Sequence, residues 1–203
     1  MFSTIFDLAS RFGVIDSMTN ALISKPDIAA GKLAAVLDEL VRTVTALDDE
    51  LVRFLGLHFD ASQPISRERT VLLGMEVGQS TVRINEARGH CHKIRNIYEA
   101  HLDKWFDRVF SANSAERNSL RTIFEGLGTA DDYMIAAMRE VSGWLELEAE
   151  AVLDRVDIGD LAGANQLIHS ARLTVKPARK ALVETAAMLR QHQADFIAAS
   201  GTD

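Results

Sequence analysis

The sequence predicts an all-α protein, an antiparallel up-and-down helical bundle with four long helices plus one or two short ones. Three observations predict it. Proline occurs only at 26, 64 and 177, so long stretches lack the residue that most disrupts a helix. Along them apolar residues recur at three- and four-residue spacing, and no segment alternates with a strand's period of two. Short polar or glycine-bearing connections separate these runs, which favours antiparallel neighbours.

The first run is Phe2, Ile5, Phe6, Ala9 and Phe12, an amphipathic helix that Gly13 is expected to end. Its apolar face suits a lid packed on the bundle. Two other uses are docking on another chain and a peripheral membrane contact through residues 2–12, the latter weakened by the lack of a Lys/Arg-rich polar face. After Pro26, with Asp27 as candidate N-cap, Leu33, Val36, Leu37, Leu40, Val44, Leu47, Leu51, Phe54 and Leu55 trace one stripe to about His58. The segment from Asp60 to Pro64 then reverses the chain, and Ser66 caps a second long helix.

That helix carries Leu73, Val77, Ser80, Ile84, Ala87, Cys91, Ile94, Tyr98, Leu102, Trp105 and Val109 in a heptad-like stripe reaching Phe110. Gly74, Gly78 and Gly89 each cost roughly 1 kcal/mol of helix propensity relative to alanine. Together they predict either close approach of another backbone or a break near Gly89. A loop at 111–114 precedes a short helix to Glu125, which Gly126, Leu127 and Gly128 stop. Thr129 and Asp132 resemble a capping box ahead of Met134, Ala137, Val141, Trp144, Leu145 and Val152. The segment from Asp157 to Asp160 separates this helix from the last, whose stripe is Leu167, Ile168, Ala171, Val175, Leu182, Leu189 and Phe196. Pro177 is expected to kink or split it.

The 203 residues contain no low-complexity linker, so one domain is expected over 1–203. It divides into an N-terminal amphipathic segment (1–23), the bundle (28–199) and a disordered end (200–203). A formal charge of −7 argues against nucleic-acid binding, which depends on a basic surface. Cys91 is the lone cysteine, so no intrachain disulfide forms and a cytoplasmic location is the default. The start lacks a basic n-region and a continuous apolar core, and no window reaches the roughly 20 apolar residues of a transmembrane helix.

The densest chemical constellation lies on the second long helix: Glu86, His90, Cys91, His92, Tyr98 and His101. Imidazole and carboxylate ligate transition metals and imidazole ligates haem, so Glu86, His90, His92 and His101 are the candidate metal ligands. On an ideal helix Glu86 and His90 share a face, whereas His92 points about 200° away from His90 and would need a break at Gly89 to join it. The chain has no Glu-x-x-His, the signature of di-iron bundles, and its spacing does not fit a zinc finger. The simpler reading has these histidines hydrogen-bonding across helices or facing solvent, with Cys91 as a small buried hydrophobe.

His92, Lys93, Ile94, Arg95 and Asn96 resemble the H-x-[Ile/Leu]-Arg-Asn string of the histidine-kinase dimerisation and phosphotransfer helix. The resemblance implies a phosphoacceptor role for His92. It spans these five residues, with Lys93 where the family usually has an acid and Ile97 where it usually has proline. No glycine-rich nucleotide-binding segment follows, so it does not imply autokinase activity.

Two charge patterns complete the picture. Glu76, Gln79, Arg83, Glu86 and His90 form a polar row beside the apolar stripe, either a solvated face or a buried layer that fixes helix register or binds a small ligand. Arg172, Lys176, Arg179 and Lys180 form a basic row that follows an acid-rich stretch from Asp131 to Asp160. These helices either complement one another, or the basic row is an anion or partner patch. Walker, Rossmann, nucleophile-elbow and His-Glu-x-x-His motifs are absent, which leans away from an enzyme. The favoured function is non-catalytic, a scaffold, adaptor or regulatory subunit acting through a protein partner or self-association. The alternative is a metal-, haem- or small-ligand-binding bundle with a sensing or redox role, and histidine phosphotransfer is third.

Overall fold

The computed structural model describes residues 2–23, 29–58, 65–109, 114–126 and 133–200, and every element among them is helical. In chain order these are α1 (Ser3–Ile23), α2 (Ala29–His58), α3 (Arg67–Ile97), a π-helical turn (Tyr98–Leu102), α4 (Asp103–Val109), α5 (Ala115–Gly126), α6 (Tyr133–Asp157) and α7 (Leu161–Ser200). Helix starts follow local chemistry. Ser66 is extended (φ −127°, ψ 160°) and its Oγ accepts from the Arg69 N–H at 3.3 Å, satisfying one of the orphan donors of α3. Ser114 does the same for Arg117 at 3.1 Å, and Asp160 for Gly163 at 2.8 Å. Between α6 and α7 the chain turns at Gly159, whose φ of +78° only glycine adopts without strain.

Cross-helix contacts give the directions. Glu50 meets Ser80 and Arg83, while Glu39 meets His90 and Lys93, so α3 runs antiparallel to α2. Asp48 meets Arg179 and Asp38 meets Gln193, so α7 also runs antiparallel to α2. On the far side Phe2 packs edge-on against Trp144, Thr4 bonds Glu140 and Arg11 lies over the Tyr133 ring, which sets α1 antiparallel to α6. The expected stripes point inward: Val36, Leu40, Val44, Leu47 and Leu51 of α2, Val77 through Ile94 of α3, and Val175, Leu182 and Leu189 of α7 are all buried in one apolar cluster.

Three expectations change. Helix α1 runs on through Gly13 to Ile23 rather than ending at the glycine. Ile5, Leu8, Phe12 and Ile15 are all buried, so the apolar stripe continues past Gly13 and its burial outweighs a propensity cost of about 1 kcal/mol. Helix α3 passes Gly89 without a break, and nothing outside its own turns lies within 4 Å of a Cβ built at Gly74, Gly78 or Gly89. Helix α7 likewise continues through Pro177. The carbonyl that loses its donor there belongs to Leu173, which is exposed, so water is at hand to replace the missing bond. Asp27, the Asp60–Pro64 reversal, residues 111–113, Gly128, the Thr129/Asp132 capping box and residues 201–203 lie outside the described residues.

The irregularity in the second long helix sits later, at Tyr98–Leu102, where the Asp103 N–H reaches back five residues to the Tyr98 carbonyl. Its cause is legible in the spacing. Ile94, Tyr98 and Leu102 are four residues apart twice in succession, which on a regular α-helix drifts about 80° around the axis. One wide turn cancels the drift and keeps all three side chains buried. Tyr98 then packs with Phe106 and Phe124, and its hydroxyl donates to Asp103 at 3.1 Å, closing this end of the bundle.

Candidate functional site

Helix α2 carries its acids in two directions. Toward α3, the Glu50 carboxylate, only 4% exposed, accepts from Ser80 Oγ at 2.5 Å and from Arg83 at 2.6 Å (Nε) and 2.9 Å (Nη2). Gln79 and Glu76 also reach Arg83, at 3.4 and 3.5 Å. Hydrogen bonding to Glu50 pushes the guanidinium pKa upward against the opposing effect of burial, so Arg83 stays charged. Three turns earlier Glu39 bonds His90 Nδ1 and approaches Lys93 at 3.5 Å. Each acid of α2 thus takes an i, i+3 pair on α3. The row from Glu76 to His90 is therefore a seam between helices, its Arg83 and His90 engaged by α2.

Toward α7, Asp48 takes Arg179 through two bonds at 2.8 and 3.3 Å, and Thr45 accepts from Arg190 at 3.2 Å. The acid facing the basic row thus comes from α2, not from the acidic stretch of α6. Lys180 approaches Glu184 of its own helix at 3.8 Å, and Lys176 is exposed. Arg172 is half-buried.

The four candidate ligands do not converge. Glu86, His92 and His101 are exposed while His90 turns to Glu39, and among the described residues no group of three or more His, Cys, Asp or Glu side chains is placed to hold a metal ion. Cys91 is fully buried. His92, the candidate phosphoacceptor, stands on the outward side of α3. No helix among the described residues is long and apolar enough to cross a membrane. The apolar face of residues 2–12 lies on the bundle, with Phe2, Ile5, Leu8 and Phe12 buried and Phe6 left exposed. Glu140 fixes this helix by accepting from the Ser3 and Thr4 N–H groups, each at 3.1 Å.

Sequence reasoning missed Glu50, although it falls between Leu47 and Leu51 on the buried stripe of α2. It also missed His192, buried in α7 with Nδ1 3.7 Å from Asp195, although it lies three residues from Leu189 and four from Phe196.

The outward side of α3 is the anomaly. Val71, Met75, Gly78 and Val82 lie within about 60° of one another around the axis and roughly opposite the buried row Ser80, Ala87, Cys91 and Ile94. Val71, Leu72, Met75 and Val82 are 54–60% exposed, with Gly74 and Gly78 between them. This half of α3 is apolar all round, a pattern expected of a helix covered on both sides. Compared with protein-family models, curated proteins and solved structures, the chain matches none.

Proposed function

We propose that this protein works by protein–protein contact rather than catalysis, and that the outward face of α3 docks a second copy of the same chain. The observation that carries the reading is the exposed stripe Val71, Leu72, Met75 and Val82 with Gly74 and Gly78, opposite a fully packed core face. Contiguous exposed apolar surface marks interaction sites. None of these six residues is charged, so the stripe offers an unlike partner no charge pattern to match, whereas two identical stripes match each other across a twofold axis. The overall charge of −7 opposes association through other surfaces and leaves an uncharged strip as the place where copies meet. The exposed glycines let a facing helix approach closely.

Sedimentation velocity over a range of concentrations, on the wild type and on Val82→Asp and Met75→Asp, tests this. A concentration-dependent dimer that both variants turn into a monomer with unchanged helicity is the expected result. A wild-type monomer throughout, or a dimer indifferent to both substitutions, overturns it.

A further inference from the structure

Helices α3 and α6 leave a cleft of about 280 Å3 between them, close to the lower end of the roughly 300–1,000 Å3 typical of ligand pockets. Its apolar lining includes Ile84, Ile135 and Met138, and Arg88 and Arg139 border it. Three observations set it apart from a packing gap. Ile135 is 3% exposed yet stands outside the main core cluster, so it faces the cleft's own apolar wall. Gly143 lies on the wall in mid-helix, and a Cβ built there meets nothing within 4 Å, so packing of this chain does not require the glycine. Arg139 is exposed and has no hydrogen-bonding or ion-pair partner among the described residues, while Arg88 has the amide oxygen of Asn85 at 3.4 Å and no described carboxylate.

The antiparallel course of α3 and α6 places both arginines toward the same end of the cleft. Glu146 also lines it, two turns and roughly 10 Å beyond Arg139 along α6. A cationic end, an apolar middle and an acidic far end define the occupant's polarity and length. We propose that the cleft binds a small amphipathic carboxylate whose head meets Arg88 and Arg139 and whose short apolar body lies on Ile84, Ile135 and Met138. Glu146 repels a second anionic end and limits the body to about the length of a six-carbon chain. This site is independent of the outward face of α3, since none of the stripe residues lines it.

Methyl NMR tests it directly, using hexanoate as probe, hexanol for the body without the charge and acetate for the head without the body. Saturable shifts at the Ile84, Ile135 and Met138 methyls are expected with hexanoate in the millimolar range, and binding at least about tenfold weaker for hexanol and acetate. Arg139→Gln, at an exposed position, should weaken hexanoate about tenfold with the fold unchanged. Gly143→Leu fills the cleft and should abolish the shifts while the melting temperature holds or rises. Absence of saturable shifts with hexanoate overturns the proposal. So does equal binding of hexanol, or hexanoate binding that survives Gly143→Leu.

Discussion

The guanidinium of Arg83 bridges both carboxylate oxygens of Glu50 across the α2/α3 interface, with Ser80 adding a third bond to the same buried acid. Arg83→Leu leaves Glu50 ionised and buried with a single hydroxyl for company, which should cost about 3 kcal/mol in urea unfolding. Replacing both Glu50 and Arg83 by leucine should cost less than Arg83→Leu alone, because the uncompensated charge is gone. If the double replacement is as destabilising as the sum of the single ones, the two residues are not coupled.

Burial pushes the Glu148 carboxyl pKa upward, while a hydrogen bond from Trp144 pulls it partly back. An acid with a raised folded-state pKa binds its proton more tightly when folded, so stability falls as pH rises from the unfolded value through the folded one. Glu148 is therefore a net burden at neutral pH. Glu148→Gln keeps an acceptor for the indole and should be more stable than the wild type at pH 7, with the difference fading in acid where both forms are neutral. Thermal melts of the two proteins between pH 3 and pH 7 (roughly the window that brackets a carboxyl group) read the sign.

Gly78 separates monomer stability from association. Its Cβ would stand in open space, so Gly78→Ala should stabilise the isolated chain by about 0.5–1 kcal/mol through helix propensity. If the stripe on α3 is a contact between copies, the same methyl group holds the facing helix off and weakens the dimer. Melting temperature and dimer dissociation constant should then move in opposite senses, and a variant that raises both stability and affinity contradicts close approach at this position.

Phe2 holds the start of α1 in place. It sits at a φ of 60°, a left-handed conformation costing roughly 1–2 kcal/mol for a residue with a side chain, and persists because its ring is buried against Trp144. Phe2→Ala should cost about 3 kcal/mol and shift the Trp144 emission to longer wavelength as water reaches the indole. Glu140→Ala should produce part of the same shift by uncapping α1 while leaving the Phe2 ring in place.

What the sequence made legible followed from local rules. The stripes of α2, α3, α6 and α7 could be read because 3.6-residue periodicity belongs to a single helix, and Ser66 could be read as a cap because its partner is three residues away. The extent of α1 was hidden because tertiary burial of Ile15 overrides the signal of Gly13. The partner of Arg179 was hidden because α2 lies between α3 and α7, a fact of topology that no window contains. Glu50 looks in sequence like one more acid after Asp48 and Asp49, and only its angular position distinguishes it. The α3/α6 cleft has no sequence signature, being the space left where Gly143 declines to fill it.

The wide turn at Tyr98–Leu102 makes the reading frame of this helix fragile at one place. Glu99, Ala100 and His101 are all exposed, so substituting any of them should pass almost unnoticed. Deleting one is different. With four residues left where five stood, the segment can close as ordinary α-helix, and everything after it turns by about 100° relative to the bundle. Trp105 and Phe106 would then leave the aromatic end that Tyr98 and Phe124 share with them, and the pair between Asp103 and Arg121 would part. The chain should tolerate spelling changes here and not a change in length.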